Sequence, residues 1–271
     1  MPELPEVETT RRGIAPHITG VEVVRVTVRN PRLRRPVPRD LARNLAGRRV
    51  ASIDRRGKYL LLDMDAGTVI VHLGMSGSLR IVSPALPPGK HDHVDIEFAN
   101  GVSLRLCDPR RFGLVLWTRA APLAHPLLRG LGPEPLDDVF DGDYLFECAR
   151  GRRVAIKQLL MNARIVVGVG NIYVNEALFL AGVHPQRAAG RIARERCGRI
   201  AEAVRTVLHA AIAQGGTTLR DFYYGDNRPG YFGQSLRVYG RADEPCPRCG
   251  TAIRQITQGQ RSTYYCPRCQ R

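Results

Sequence analysis

The end of the chain carries Cys246-Pro-Arg-Cys249 and Cys266-Pro-Arg-Cys269, a C-x2-C-x16-C-x2-C array. Two knuckles at this spacing bring four thiolates to the corners of a tetrahedron around one zinc ion (Zn2+). A stretch so short and polar has little apolar surface to bury, so a metal must stand in for a core. Four cysteine ligands leave no open coordination position, which makes the ion structural rather than catalytic. The alternative, a pair of disulfides, belongs to oxidising compartments. The intervening residues 251–265 read as a hairpin, with Arg261 near its second strand and thrust outward by so small a core. Cys107, Cys148 and Cys197 lack partners at metal spacing and read as buried or inert.

The 271 residues suffice for a proper core and more than one domain. No apolar run approaches the ~20 residues needed to span a bilayer. The first twenty residues mix acids with arginines instead of forming a continuous apolar region. The expectation is a cytoplasmic, monomeric protein with no membrane partner. A formal net charge of +16 and a pI near 10.3 call for a polyanion. Nucleic acid fits better than an anionic membrane, because no long basic amphipathic helix stands out. Only Lys58, Lys90 and Lys157 are lysines among the 41 basic residues. A lysine kept in so arginine-biased a chain suggests a need for an amine that can release its proton, which guanidinium effectively cannot.

Along the chain, Pro2 to Arg12 reads as a helix stopped by Gly13. Alternating β-type runs follow, and Asn100-Gly101 between Val94–Phe98 and Val102–Leu106 signals a hairpin. Residues 1–118 therefore read as a β-rich unit, a sandwich carrying the amino-terminal helix. Residues 119–135, rich in Pro, Gly and Leu without a period, read as a linker. Helical patterning occupies 136–235, ending in an aperiodic Gly- and aromatic-rich loop, and residues 236–271 form the small cysteine module. The fold class is α+β.

The opening Met-Pro-Glu-Leu-Pro-Glu-Val-Glu has a chemical reading. Removal of Met1 leaves Pro2 with a free secondary amine, an α-amino group of the kind that titrates near ~7.7–8.0. Such an amine attacking an aldehyde carbon gives an iminium, an electron sink of the lysine Schiff-base type. Glu3 and Glu6 lie beside it and one turn beyond. The plainer reading is a proline in the first turn of a helix with acids favoured by the dipole. Val167-Gly-Val-Gly-Asn171 lacks the third glycine of a dinucleotide fingerprint and sits between helices; a glycine-bracketed turn with Asn171 opening the second helix fits, and its free N–H groups suit a phosphate. Met75, flanked by glycines, and Phe112, beside Arg110 and Arg111, suit either a core or a wedge that fills the gap left by an extruded nucleotide. His91 and His93 around Asp92 read as a metal pair or as solvated turn residues.

These residues together resemble the bacterial formamidopyrimidine-DNA glycosylase family. The matching stretches are Pro2 to Thr9, Arg56 to Leu60, His72 to Gly77, Lys90 to Val94, Asp108 to Gly113, Val166 to Tyr173 and the four-cysteine tail. They run in order through the whole chain. The resemblance implies an N-terminal β-sandwich with a catalytic helix, a helix-two-turn-helix domain and a C-terminal zinc finger, with double-stranded DNA between. It implies excision of oxidised purines (8-oxoguanine, formamidopyrimidines), then strand cleavage at the abasic site by β,δ-elimination. Pro2 would be the nucleophile, Glu3 its acid/base partner, Lys58 active in β-elimination and phosphate binding, and Arg261 in δ-elimination. Met75, Arg110 and Phe112 would fill the void, with Arg110 facing the orphaned cytosine. His72, His91, Arg111, Arg153, Asn171 and Tyr239 would hold backbone or neighbouring groups, Lys157 would lie near the DNA strand, and residues 217–224 would cover the extruded base. Asn162-Ala163 and Arg153 depart slightly from the family pattern, away from the chemistry. Two rival readings are a same-fold glycosylase for oxidised pyrimidines and a non-catalytic zinc-finger DNA-binding protein.

Overall fold

The structure, a computed structural model, describes residues 2–217 and 235–271. Met1 and the loop expected beyond Thr217 lie outside the described residues. The chain gathers into two compact units, one of residues 2–129 with 214–217, the other of residues 130–213 with 235–271.

The first unit is a sandwich of two antiparallel four-stranded sheets. One has the order β1-β6-β7-β5, built from β1 (Val23–Val28), β5 (Ser78–Val82), β6 (Asp92–Phe98) and β7 (Ser103–Cys107). The other runs β2-β3-β4-β8, from β2 (Val50–Arg56), β3 (Tyr59–Met64), β4 (Gly67–His72) and β8 (Leu114–Thr118). Alternation sets the core: Leu60, Leu62, Val69, Val71, Val94, Ile96, Leu104 and Leu106 point inward and are buried. The Asn100-Gly101 turn joins β6 to β7, with Gly101 at φ +79°.

Helix α1 (Leu4–Ile18) runs past the expected stop at Gly13. Val7, Ile14 and Ile18 continue one apolar face into the sandwich core, and that burial outweighs the roughly 1 kcal/mol cost of an interior glycine. A short α2 (Leu41–Leu45) also packs on this unit.

In the second unit, α3 (Gly142–Ala149), α4 (Ile156–Leu160), α5 (Asn171–Ala181) and the long α6 (Arg194–Ala213) carry the helical residues. Asp141 caps α3 by accepting the Tyr144 N–H at 2.7 Å. Asn171 does not cap α5 as its type suggests. Gly170 is the cap, and Asn171 stands in the first turn with its side chain turned elsewhere. The β9 (Arg254–Gln258) and β10 (Arg261–Tyr265) hairpin falls in this same unit. No helix among the described residues is long and apolar enough to cross a membrane.

Candidate active site and nucleic-acid interface

The head of α1 is buried. Pro2 is enclosed and Glu3 is 2% exposed. Glu6, one turn on and fully buried, accepts the Glu3 N–H at 2.8 Å through one carboxylate oxygen. Its other oxygen accepts the Thr217 N–H at 2.9 Å and the Thr217 hydroxyl at 3.0 Å. This carboxylate therefore fixes the backbone of the residue after Pro2 and ties it to the end of the first described segment. A Cβ on Gly216 would stand 2.8 Å from Glu6 Oε1, so glycine is required for this approach. Two residues further along α1, burial would raise the Glu8 carboxyl. Hydrogen bonds from Arg11 and Arg12, with the charges of Arg11 and Arg55, override it and hold the group down at about 2.

Lys58 stands at the tip of the β2–β3 hairpin. Arg56 pairs with Tyr59 across a two-residue turn whose first member, Gly57, has φ +57°, the requirement of a type II′ turn. The β3–β4 register sets Tyr59 opposite His72, with ring centroids 4.8 Å apart. His72 Nδ1 accepts the Gly74 N–H at 2.9 Å, which leaves Nε2 as the protonated nitrogen. Burial first, then the charges of Lys58 and Arg34, push its pKa down to about 4. His72 is thus a neutral donor at the same edge as the Lys58 amine.

Two turns back onto each other beyond this edge. A Cβ on Gly74 would meet the Phe112 carbonyl carbon at 2.4 Å, so the two turns touch backbone to backbone. Asp108, fully buried, holds both: its carboxylate accepts the Gly113 N–H at 2.7 Å and the Ser76 hydroxyl at 3.3 Å. The side chains between are pushed out. Met75 is 39% and Phe112 44% exposed, and Arg110 lies over the Phe112 ring at 4.9 Å. Arg111 sits at φ +57°, a left-handed conformation that costs an L-residue roughly 1–2 kcal/mol. This display suits the wedge reading of Met75, Arg110 and Phe112 and not the core one. His91 connects to the same turn, its carbonyl accepting the Asp108 N–H at 2.9 Å. His93 is buried with Nε2 at 2.9 Å from the Asp108 carbonyl. Among the described residues the metal-competent cluster of three or more side chains is the four cysteines, and His93, buried in β6, is no solvated turn residue.

In the second unit, α5 bears a polar row in an otherwise apolar helix, and that row seizes the hairpin. Asn171 Nδ2 donates to the Ser262 carbonyl at 3.0 Å, and Asn175 Oδ1 accepts the Tyr264 N–H at 2.8 Å. Glu176, 2% exposed, accepts the N–H groups of Arg237, Val238 and Tyr239, each at 2.9 Å. The Tyr239 ring then rests against Tyr264, centroids 5.1 Å apart. Sequence reasoning passed over Glu176 and Asp108. The signal for Glu176 was available: a lone acid within Asn171–Ala181, where a buried carboxylate demands partners.

Lys157 is 1% exposed, and its ammonium donates to Thr263 Oγ1 at 2.6 Å and the Ser262 carbonyl at 3.2 Å. Arg261, the residue before Ser262, is exposed at the hairpin tip, beyond a Gly259-Gln260 turn with both φ near +60°. Arg153 is exposed in the turn before α4.

The cysteine geometry fits zinc. Tetrahedral Zn–S bonds of ~2.3 Å imply S···S separations of about 3.8 Å. Cys246 and Cys269 sulfurs are 3.9 Å apart, those of Cys249 and Cys266 3.5 Å, and all four lie within 4.8 Å of one another. The Arg248 and Cys269 N–H groups point at the Cys246 and Cys266 sulfurs, each at 3.4 Å, as knuckles that stabilise thiolates do. The four cysteines form a structural zinc site.

A β-sandwich headed by a buried Pro-Glu helix, with a helical unit bearing a zinc-stapled hairpin, is the build of a DNA-repair glycosylase. Residues 1–115 match the formamidopyrimidine-DNA glycosylase N-terminal domain, 131–223 its H2TH domain, and 243–271 the zinc finger found in FPG and IleRS. The formamidopyrimidine-DNA glycosylases of Methylococcus capsulatus and Thioalkalivibrio sulfidiphilus are each 61% identical to the chain over 271 residues, covering 100% of both partners. The MutM (Fpg) protein of Thermus thermophilus superposes with a TM-score of 0.89 at 37% identity, over 99% of this chain and 98% of that one. Lactococcus lactis Fpg in complex with abasic-site DNA gives 0.92 at 33% identity, over 99% of each chain. The chain belongs to the formamidopyrimidine-DNA glycosylase family. Agreement over all three segments excludes a zinc-finger binder without the catalytic domain.

Proposed function

We propose that the chain excises oxidised purines, among them formamidopyrimidines, from duplex DNA and then cleaves the strand at the abasic sugar, with Pro2 as its nucleophile. The observation that carries the roles is the architecture at the head of α1. A proline, a 2%-exposed Glu3 and a fully buried Glu6 that grips the Glu3 backbone occupy one sequestered corner. Relatives of this chain have been crystallised on abasic-site DNA and on DNA containing N7-benzyl-Fapy-dG.

With Met1 removed, the Pro2 nitrogen attacks C1′, displaces the base and gives up its N–H proton; the C1′–O4′ bond then opens, with Glu3 delivering a proton to O4′. The resulting iminium is cationic without further protonation and acidifies the C2′ proton. Loss of that proton breaks the C3′–O bond, and a second elimination breaks C5′–O. Lys58, at its hairpin tip beside neutral His72, suits a phosphate and the first elimination; Arg261, at the other hairpin tip, suits the second. Extruding the base costs a few kcal/mol of unstacking. The exposed Met75, Arg110 and Phe112 occupy the gap, with His91, Arg111, Arg153, Asn171 and Tyr239 on the backbone. The finger's zinc takes no part in these steps.

Borohydride reduction tests the chemistry. The processed protein should be trapped on 8-oxoguanine and abasic duplexes as a covalent adduct that peptide mass spectrometry places at Pro2. Absence of the adduct from protein whose amino terminus is verified as Pro2 would sink the proposal. A preference for thymine glycol over 8-oxoguanine in competition would overturn the purine assignment.

A further inference from the structure

We propose that residues 31–39 form a second DNA-backbone site, an arginine ridge that grips phosphates beyond those at the lesion. The inference rests on the DNA reading above and extends its footprint. The segment reads Pro31-Arg-Leu-Arg-Arg-Pro-Val-Pro-Arg39. Its apolar residues face inward, Leu33 8% and Val37 2% exposed, while Arg32, Arg34, Arg35 and Arg39 are all exposed.

The ridge is built. The Pro31 carbonyl accepts the N–H groups of both Leu33 (3.0 Å) and Val37 (2.9 Å). The Arg34 N–H donates to the Gly113 carbonyl at 3.1 Å, joining the segment to the turn that displays Phe112. Three prolines fix φ at their positions, so little backbone freedom is left to lose when a ligand arrives. The side chains reach towards the site already described: the charge of Arg34 acts on His72 and Tyr59, and that of Arg35 on Tyr59 and His125.

The pairing pattern distinguishes these arginines from their neighbours. Arg25, Arg29, Arg43, Arg48 and Arg49 each meet a carboxylate within 4.0 Å. None of the four ridge arginines pairs with a carboxylate among the described residues, and even Asp40, next to Arg39, pairs with Arg43. Four uncompensated guanidinium groups on one rigid segment repel one another unless an anion intervenes. The guanidinium fork matches phosphate oxygens. The ridge offers no aromatic ring on which a base could stack, and its outward apolar surface is limited to the small rings of Pro31 and Pro36, too little to enter a membrane, so the backbone of nucleic acid is the partner it fits.

The test is equilibrium binding to a long duplex with a central tetrahydrofuran abasic analogue, across a salt series. Each lost phosphate contact lowers the slope of log K against log[salt] by ~0.9. Arg32→Ala/Arg35→Ala/Arg39→Ala should lower it by about 2–3 and weaken binding roughly a hundredfold at ~0.15 M salt. The matching lysine triple should keep most of the slope. Arg25→Ala/Arg43→Ala/Arg49→Ala removes the same charge from paired arginines and should leave the slope near wild type. Equal losses in both alanine triples, or an unchanged slope in a ridge triple with a wild-type melting curve, would overturn the ridge. Borohydride trapping of the wild-type protein reports on the chemistry alone, so failure there is distinguishable from failure here.

Discussion

His72 shows how one side chain's surroundings set its chemistry. Its ring is a neutral Nε2–H donor because Nδ1 is occupied by the Gly74 N–H and because burial, Lys58 and Arg34 disfavour the imidazolium. The folded state therefore binds fewer protons than the unfolded state between pH about 4 and 6.5. Stability from this group rises with pH across that window and is lost as pH falls through it. The expected NMR signature is an imidazole that keeps its neutral, Nε2-protonated pattern down to about pH 4. A midpoint near the ordinary 6.5 would contradict the burial and charge argument. At this scale the sequence was informative where chemistry needs a residue type. Pro2, Glu3, Lys58 and the four cysteines stand out by kind and spacing. It was silent on Asp108, whose role of clamping two turns depends on Gly113 and Ser76 coming to the same place, which no local pattern encodes.

Helix α5 and the β9–β10 hairpin act as a unit because polar groups on one satisfy the other. Lys157 from α4 joins them, its inward ammonium bonded to Ser262 and Thr263. Those bonds tie α4 to the strand that begins at Arg261. Lys157→Met keeps the length and removes the donors, leaving the Ser262 carbonyl with the Asn171 amide alone and the Thr263 hydroxyl without a donor to accept from. The expected cost is roughly 1–3 kcal/mol of stability, read in a denaturant melt. The slope of DNA binding with salt should stay at its wild-type value, whereas loss of a phosphate contact would lower it by ~0.9. Elements were legible where periodicity was clean, as in β3, β4, β6 and β7. They were misread where tertiary burial overrode a local signal: Gly13 fails to end α1 because Ile14 and Ile18 go on into the core. Gly170, not Asn171, caps α5 because the Asn171 amide is drawn to Ser262.

For the molecule as a whole, the sequence read as four segments, and the contacts of the described residues group into two units, with the finger bonded to α5 through Asn171, Asn175 and Glu176. Metal removal should report this coupling. The finger's own buried cluster comprises Phe179 from α5 together with Val238, Cys246, Ile253 and Cys266. A chelator that strips the zinc should lower the melting temperature of the helical unit and abolish binding to abasic-analogue duplex, with zinc add-back restoring both. Retention of full DNA affinity by metal-free protein would show that the hairpin holds its shape without the ion. Net charge, legible from composition alone, gave the polyanion; which arginines are left over to meet it became visible only once the carboxylates had been matched to their partners.

The bond between Glu6 and Thr217 spans 211 residues of chain. During synthesis at ~5–20 residues per second, the partner of that buried oxygen is made on the order of 10–40 s after Glu6. The sandwich can collapse in that interval, but the carboxylate next to the nucleophile then still lacks the two bonds from Thr217. A ribosome-bound fragment ending before Thr217 would carry Pro2, Glu3 and Lys58 and yet have an unfinished catalytic corner. The timetable of translation thus places completion of the reactive end of the protein among the last events of its folding.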